Sequence, residues 1–123
     1  EVFNFVMIYV PMVIHEVLNF SKLLIKDIDF FAFHQPNKYM LTKLSDELDI
    51  PYEKLFSNIV GIYGNSSSGT IPLNISHNLK NILAHQSLRL CLSGFGGGLT
   101  CNALIMDFIK LDFCEIIDYN IFK

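Results

Sequence analysis

The stretch "LRLCLSGFGGGLTCNALIMDF" (88–108) sets four glycines into the five positions 94–98, between two apolar runs. Both runs alternate like strands, so 88–95 and 99–108 read as a hairpin with the glycines at its turn. A turn of this kind needs positive φ, which glycine adopts without a steric penalty. "GFGGGL" also imitates the dinucleotide-binding pattern G-x-G-x-x-G. However, Leu99 takes the third glycine position and a strand follows, so no helix N-terminus is there to receive a pyrophosphate. Two uses stay open: a plain tight turn, or a site where a backbone N–H comes close to a ligand oxygen.

The rest of the chain supplies layers for that hairpin. Val6, Val10, Val13, Ile14, Val17, Leu18 and Leu24 recur at helical spacing, which predicts an amphipathic helix over 3–25 that contains Pro11. "IDFFAF" (28–33) reads as a buried strand ending at His34. Met40, Leu41, Leu44 and Leu48 form a second helical stripe, opened by Pro36-Asn37 and closed before Pro51. Residues 52–64 read as irregular or weakly extended. "GNSSSGT" supplies turn and N-cap residues for a third helix marked by Ile71, Ile75, Leu79 and Ile82, with Pro72 near its start. Helix, strand, helix, helix, strand, strand makes an α/β layer with helices covering a sheet. The single domain is expected over 1–108, with 109–123 as a separate extension of no assigned role.

Composition narrows the function classes. Net charge is −3 with only 17% charged residues, and no Lys/Arg run is present, which argues against nucleic acid as the ligand. Apolar residues make up 51% of the chain, rich for a domain of 123 residues, so some apolar surface is expected to be covered by a partner. The N-terminal apolar run stops at His15-Glu16 and reads as too short to span a bilayer. Three cysteines, odd in number and without metal-type spacing, point to a reduced, cytoplasmic setting. A chain opening on Glu1 rather than Met is expected to be a fragment or a processed product.

Taken singly, the candidate site residues are ambiguous. His34 stands at the end of a predicted buried strand, where open α/β sheets place functional groups, yet a lone histidine there also serves as a structural residue. Asn65 precedes a serine cluster and equally suits a turn. His15, His77 and His85 read as surface residues, and Cys91 and Cys101 as small core residues. No carboxylate pair stands out for acid–base work and no metal-ligating spacing occurs, so neither metal nor cofactor is expected.

In order, "HQPN" at a strand end, "YGNSSSGTIPL" opening a helix and "GFGGGLT" at a hairpin closely resemble the C-terminal half of β-ketoacyl-acyl carrier protein synthase III, of the thiolase superfamily. "EVFNFVMIYVPMVI" looks like the helix that precedes "DID…HQ" in that family. The resemblance implies a thiolase-like α/β half-domain with a mixed sheet covered by helices. It also implies an acyltransferase of fatty acid biosynthesis that condenses acyl-CoA with malonyl-carrier protein, with loss of CO₂. The matching roles fall on His34 and Asn65 as enolate-oxygen donors and on Gly97 as a backbone oxyanion donor. Asn37 becomes a supporting residue and Lys38 a carrier-docking residue. The family's nucleophilic cysteine lies in its N-terminal half, and Cys91, Cys101 and Cys114 do not occupy that context. The isolated chain is therefore expected to be inactive. Implied partners are the N-terminal half, acyl carrier protein, acyl-CoA and, at full length, a second copy of the enzyme. Residues 66–82 resemble the helical layer that joins the two halves, so the isolated chain is expected to self-associate. The sequence departs from the family pattern at Tyr39, Tyr63 and Cys101-Asn102. The competing expectation is a non-catalytic module of the same fold, in which His34, Asn65 and Gly97 have no reason to meet.

Overall fold

The computed structural model describes residues 1–112 and 114–122, so positions 113 and 123 of the C-terminal extension lie outside the described residues. Strands β1 (Phe30–Phe33), β2 (Leu88–Gly96) and β3 (Thr100–Phe108) form a sheet in that order. β1 runs parallel to β2, pairing Phe30 with Leu90 and Phe33 with Ser93. β3 returns antiparallel, from Gly96↔Thr100 to Leu88↔Phe108. The sheet is therefore mixed, and the glycine-rich stretch is the hairpin expected of it.

Alternation along the strands sends side chains to two cores. On one face, Phe31, Phe33, Cys91 and Phe95 pack with Val6, Val10, Ile14 and Leu18 of α1 (Val2–Ser21) and Leu41, Leu44 and Leu48 of α2 (Lys38–Leu48). On the other face, Ala32, Leu88 and Leu90 meet Ile75, Leu79 and Leu83 of α4 (Thr70–Leu83). Burying each of these larger side chains contributes on the order of 1.5–3 kcal/mol, and this opposes the entropy of ordering the chain. β3 is half covered: Ala103 and Ile105 join the first core, whereas Leu104 and Met106 on its other face remain exposed.

Several boundaries differ from expectation. α1 ends at Ser21 rather than 25, because Lys22 takes a left-handed conformation (φ 57°) and its N–H turns back to Asn19 and Leu18 carbonyls. Pro11 lies inside α1 and is buried. α1 is also long and apolar enough to cross a membrane by length and composition, contrary to the expectation from its apolar run. Its inner face is instead part of the domain core, and core helices meet the same criterion. Residues 52–64 are more ordered than expected. Leu55 bridges Phe31 in parallel, and a short helix, α3 (Ile59–Tyr63), follows. With a single buried residue, Ile59, α3 has no stripe to reveal it.

The serine cluster does not cap α4. Ser67–Gly69 form a 3₁₀ turn, and the N-cap position falls on Gly69, which has no side chain to offer. The C-terminal extension returns over α4: the Leu111 N–H donates to the Leu83 carbonyl at 2.8 Å, and Lys80 pairs with Glu115 at 3.2 Å. Leu111 and Cys114 pack against the second core.

Candidate active site

A cleft of about 690 Å³ opens beyond the C-terminal end of β1, between the hairpin loop and the turn before α4. Val2, Val6, Met40, Ile71 and Phe95 give it apolar walls, and His34, Asn65, Ser67, Gly97 and Asn102 give it polar ones. The three residues singled out in sequence, His34, Asn65 and Gly97, thus meet in one place although they belong to three separate segments.

Each is held differently. The His34 backbone extends the parallel ladder one residue past β1, its N–H donating to the Ser93 carbonyl at 2.9 Å. Its Nδ1 lies 2.8 Å from Thr70 Oγ1, and its ring meets the edge of Phe95 with centroids 5.4 Å apart. Burial pushes the His34 pKa below the ordinary 6.5, and the Ser67 backbone carbonyl partly opposes the shift. The ring is therefore neutral near pH 7 and has one N–H to offer.

Asn65 Oδ1 accepts the Ser67 N–H at 3.0 Å, a local Asx turn that engages the oxygen and leaves Nδ2 as the donor for the cleft. The adjacent N-terminus of α4 adds a positive end to this wall, since its first amides lack a side-chain cap.

The glycines divide into two groups. Gly98 (φ 82°) supplies the positive φ that the loop requires, together with a left-handed Leu99 (φ 47°). Gly97 does not have positive φ, and a Cβ built on it or on Gly96 would meet nothing within 4 Å. Turn chemistry therefore accounts for Gly98 only. Gly97 lines the cleft, and the space a Cβ would take there is not filled by this chain.

Asn37 and Lys38 do not line the cleft. Asn37 Oδ1 accepts the Met40 N–H at 2.8 Å and so caps α2. Lys38 is exposed and borders a second cavity of about 350 Å³ with Thr42 and Tyr52. His15, His77 and His85 are exposed, as expected. Cys91 is fully buried, and desolvation pushes its thiol up to about 12. Cys101 is also raised, first by burial and then by Glu16. Neither is an activated nucleophile. Among the described residues, no group of His, Cys, Asp and Glu could hold a metal ion.

Sequence reasoning did not place Thr70 at the cleft and noted Asn102 only as a departure from the family pattern. Thr70 is fully buried and reaches His34 across 36 positions, a contact that no local pattern announces. Asn102 Oδ1 accepts the Gly94 N–H at 3.2 Å on the cleft wall.

The family model for the C terminus of 3-oxoacyl-[acyl-carrier-protein] synthase III matches residues 18–108. The chain belongs to this family. A β-ketoacyl-[acyl-carrier-protein] synthase III from Synechocystis is 38% identical over 106 residues, covering 86% of this chain and 32% of the relative. One from Pyropia yezoensis is 33% identical over the same shares. Among solved structures, a 3-oxoacyl-(acyl-carrier protein) synthase from Burkholderia xenovorans superposes with a TM-score of 0.89 at 32% identity, covering 93% of this chain and 32% of that one. A synthase III from Pseudomonas aeruginosa gives a TM-score of 0.81 at 28% identity, covering 89% and 34%. The synthase III C-terminal domain thus has the thiolase-like α/β fold expected of it, and the chain spans about a third of the length of the relatives it matches.

Proposed function

We propose that this chain supplies the oxyanion-binding side of a β-ketoacyl-acyl carrier protein synthase III-type acyltransferase. The nucleophilic cysteine would come from the N-terminal half, which takes an acyl group from acyl-CoA. Malonyl-carrier protein then enters the cleft. Its C–C bond to the carboxylate breaks, CO₂ leaves and the electron pair moves onto the thioester oxygen as an enolate. His34 and Asn65 Nδ2 donate to that oxygen. A neutral imidazole suits the task, because it stabilises developing charge without offering the enolate a strong acid. The enolate carbon next bonds to the acyl carbon of the cysteine thioester. The resulting oxyanion accepts the Gly97 N–H and collapses, expelling the cysteine thiolate. Gly97 has to be small here because its open side is where the reacting carbonyl arrives.

The observation that carries this reading is the convergence of His34, Asn65 and Gly97 on one cleft with open space above Gly97. The raised pKa values of Cys91 and Cys101 agree with a nucleophile located elsewhere. Acyl carrier protein would dock at the rim near Lys38, and the full enzyme would pair with a second copy. The working site is cytoplasmic, and the chemistry requires no cofactor.

A chimera tests the proposal. Residues 18–108 replace the matching segment of the Synechocystis synthase III, and condensation of acetyl-CoA with malonyl-carrier protein is measured. Condensation that disappears in the His34→Ala chimera is expected. A folded chimera that binds malonyl-carrier protein but never condenses would overturn the proposal.

A further inference from the structure

The structure assigns to Thr70 the role of a positioning residue that fixes which nitrogen of His34 carries the proton. This inference rests on the proposed function only for its purpose, since an enolate oxygen needs a donor. The geometry stands independently of that purpose.

Thr70 Oγ1 has three polar neighbours. The Gln35 N–H reaches it at 3.3 Å, His34 Nδ1 lies at 2.8 Å and the Ser67 carbonyl at 3.2 Å. The hydroxyl has one proton and two potential acceptors. If the proton goes to Ser67, Nδ1 must be protonated to donate to Oγ1, and Nε2 presents a lone pair to the cleft. If the proton goes to His34, Nδ1 is an acceptor and Nε2–H faces the cleft as a donor. The distances favour the second arrangement: Oγ1 is closer to Nδ1, at 2.8 Å, than to the Ser67 carbonyl, at 3.2 Å, and that carbonyl already takes the Thr70 backbone N–H. The Gln35 N–H engages one lone pair of Oγ1 and leaves its proton free for Nδ1. Thr70 itself is fully buried in the first turn of α4, so no water competes for the proton.

The Ser67 carbonyl makes the role testable. It lies close enough to the ring to favour a protonated nitrogen. The carbonyl oxygen is 3.2 Å from Thr70 Oγ1, itself 2.8 Å from Nδ1, so without the hydroxyl it is the acceptor left on that side of the ring and draws the proton to Nδ1. The cleft would then face an acceptor where the chemistry needs a donor.

The test is the histidine tautomer in the ¹⁵N-labelled chain, read from long-range ¹H–¹⁵N correlations at alkaline pH, where the ring is neutral. The chain should show His34 protonated at Nε2. Thr70→Val, which keeps the volume and removes the hydroxyl, should switch the ring to Nδ1–H, and Thr70→Ser should restore Nε2–H. If Thr70→Val does not fold, Thr70→Ala is read in the same way. An Nδ1–H ring in the unmodified chain would overturn the assignment, as would an Nε2–H ring that persists in Thr70→Val or Thr70→Ala. A confirmed tautomer switch in a synthase whose decarboxylation ignores His34 would refute the proposed function and leave the role of Thr70 standing.

Discussion

Gly97 and Gly98 are neighbours in the same hairpin loop, yet only Gly98 has positive φ (82°), and a Cβ on Gly97 would touch nothing in this chain. Their substitutions should therefore separate stability from function. Gly98→Ala forces a side chain into the left-handed region and should cost about 1–2 kcal/mol of stability. Gly97→Ala should change stability by less than ~0.5 kcal/mol, as for an unstrained surface position. Urea denaturation of the chain measures both. In a full synthase carrying this domain, Gly97→Ala keeps the backbone N–H but puts a methyl where the reacting carbonyl would approach it, and should lower condensation by ~10²-fold, as much as losing the contact itself. Equal activity with either residue at position 97 would contradict the close approach of the carbonyl to Gly97.

His34 should titrate below 6.5 in the folded chain, because burial disfavours the imidazolium more than the Ser67 carbonyl supports it. The unfolded chain takes up this proton near 6.5, whereas the folded chain takes it up only at lower pH. The contribution of neutral His34 to stability is thus fully present above 6.5. It is lost as pH falls from there toward the folded-state pKa. A proton NMR titration of the imidazole C–H gives the midpoint directly, and a midpoint at or above 6.5 would contradict the burial argument.

Cys91 should resist alkylation at pH 8 for as long as the domain stays folded. It is fully buried on β2, with a thiol pushed up to about 12. Thiolate is the reacting species, so both its scarcity and its inaccessibility act in the same direction. Peptide mass spectrometry after iodoacetamide treatment should find Cys91 unmodified in the native chain and modified in urea. Rapid labelling of native Cys91 would point to an activated thiol and reopen the question of where the nucleophile lies.

Much of this architecture is legible in the sequence because it follows from periodic burial. Leu41, Leu44 and Leu48 sit on the inner face of α2, Ile75 and Leu79 on that of α4, and the runs flanking the glycines pair as a hairpin. The parts that stay hidden lack a periodic signal. Lys22 ends α1 in a left-handed conformation that the sequence, with no glycine there, does not announce. α3 is too short for a stripe, and the serines ahead of α4 form a 3₁₀ turn in place of a cap. At the cleft, His34, Asn65 and Gly97 are each noticeable as residue types, but only the order of three motifs joins them. The Thr70 contact to His34 and the fold-back of Leu111 onto Leu83 arise from tertiary packing between distant segments.

The central claim is that His34 and Asn65 hold the enolate oxygen. Its most direct test is the rate of CO₂ release from malonyl-carrier protein by a full synthase carrying this domain, measured beside the rate of acyl transfer to the cysteine. His34→Ala and Asn65→Ala should each slow CO₂ release by roughly 10²- to 10³-fold, as expected for one lost oxyanion donor, while acyl transfer suffers less. CO₂ release at the unmodified rate in both variants would contradict the account.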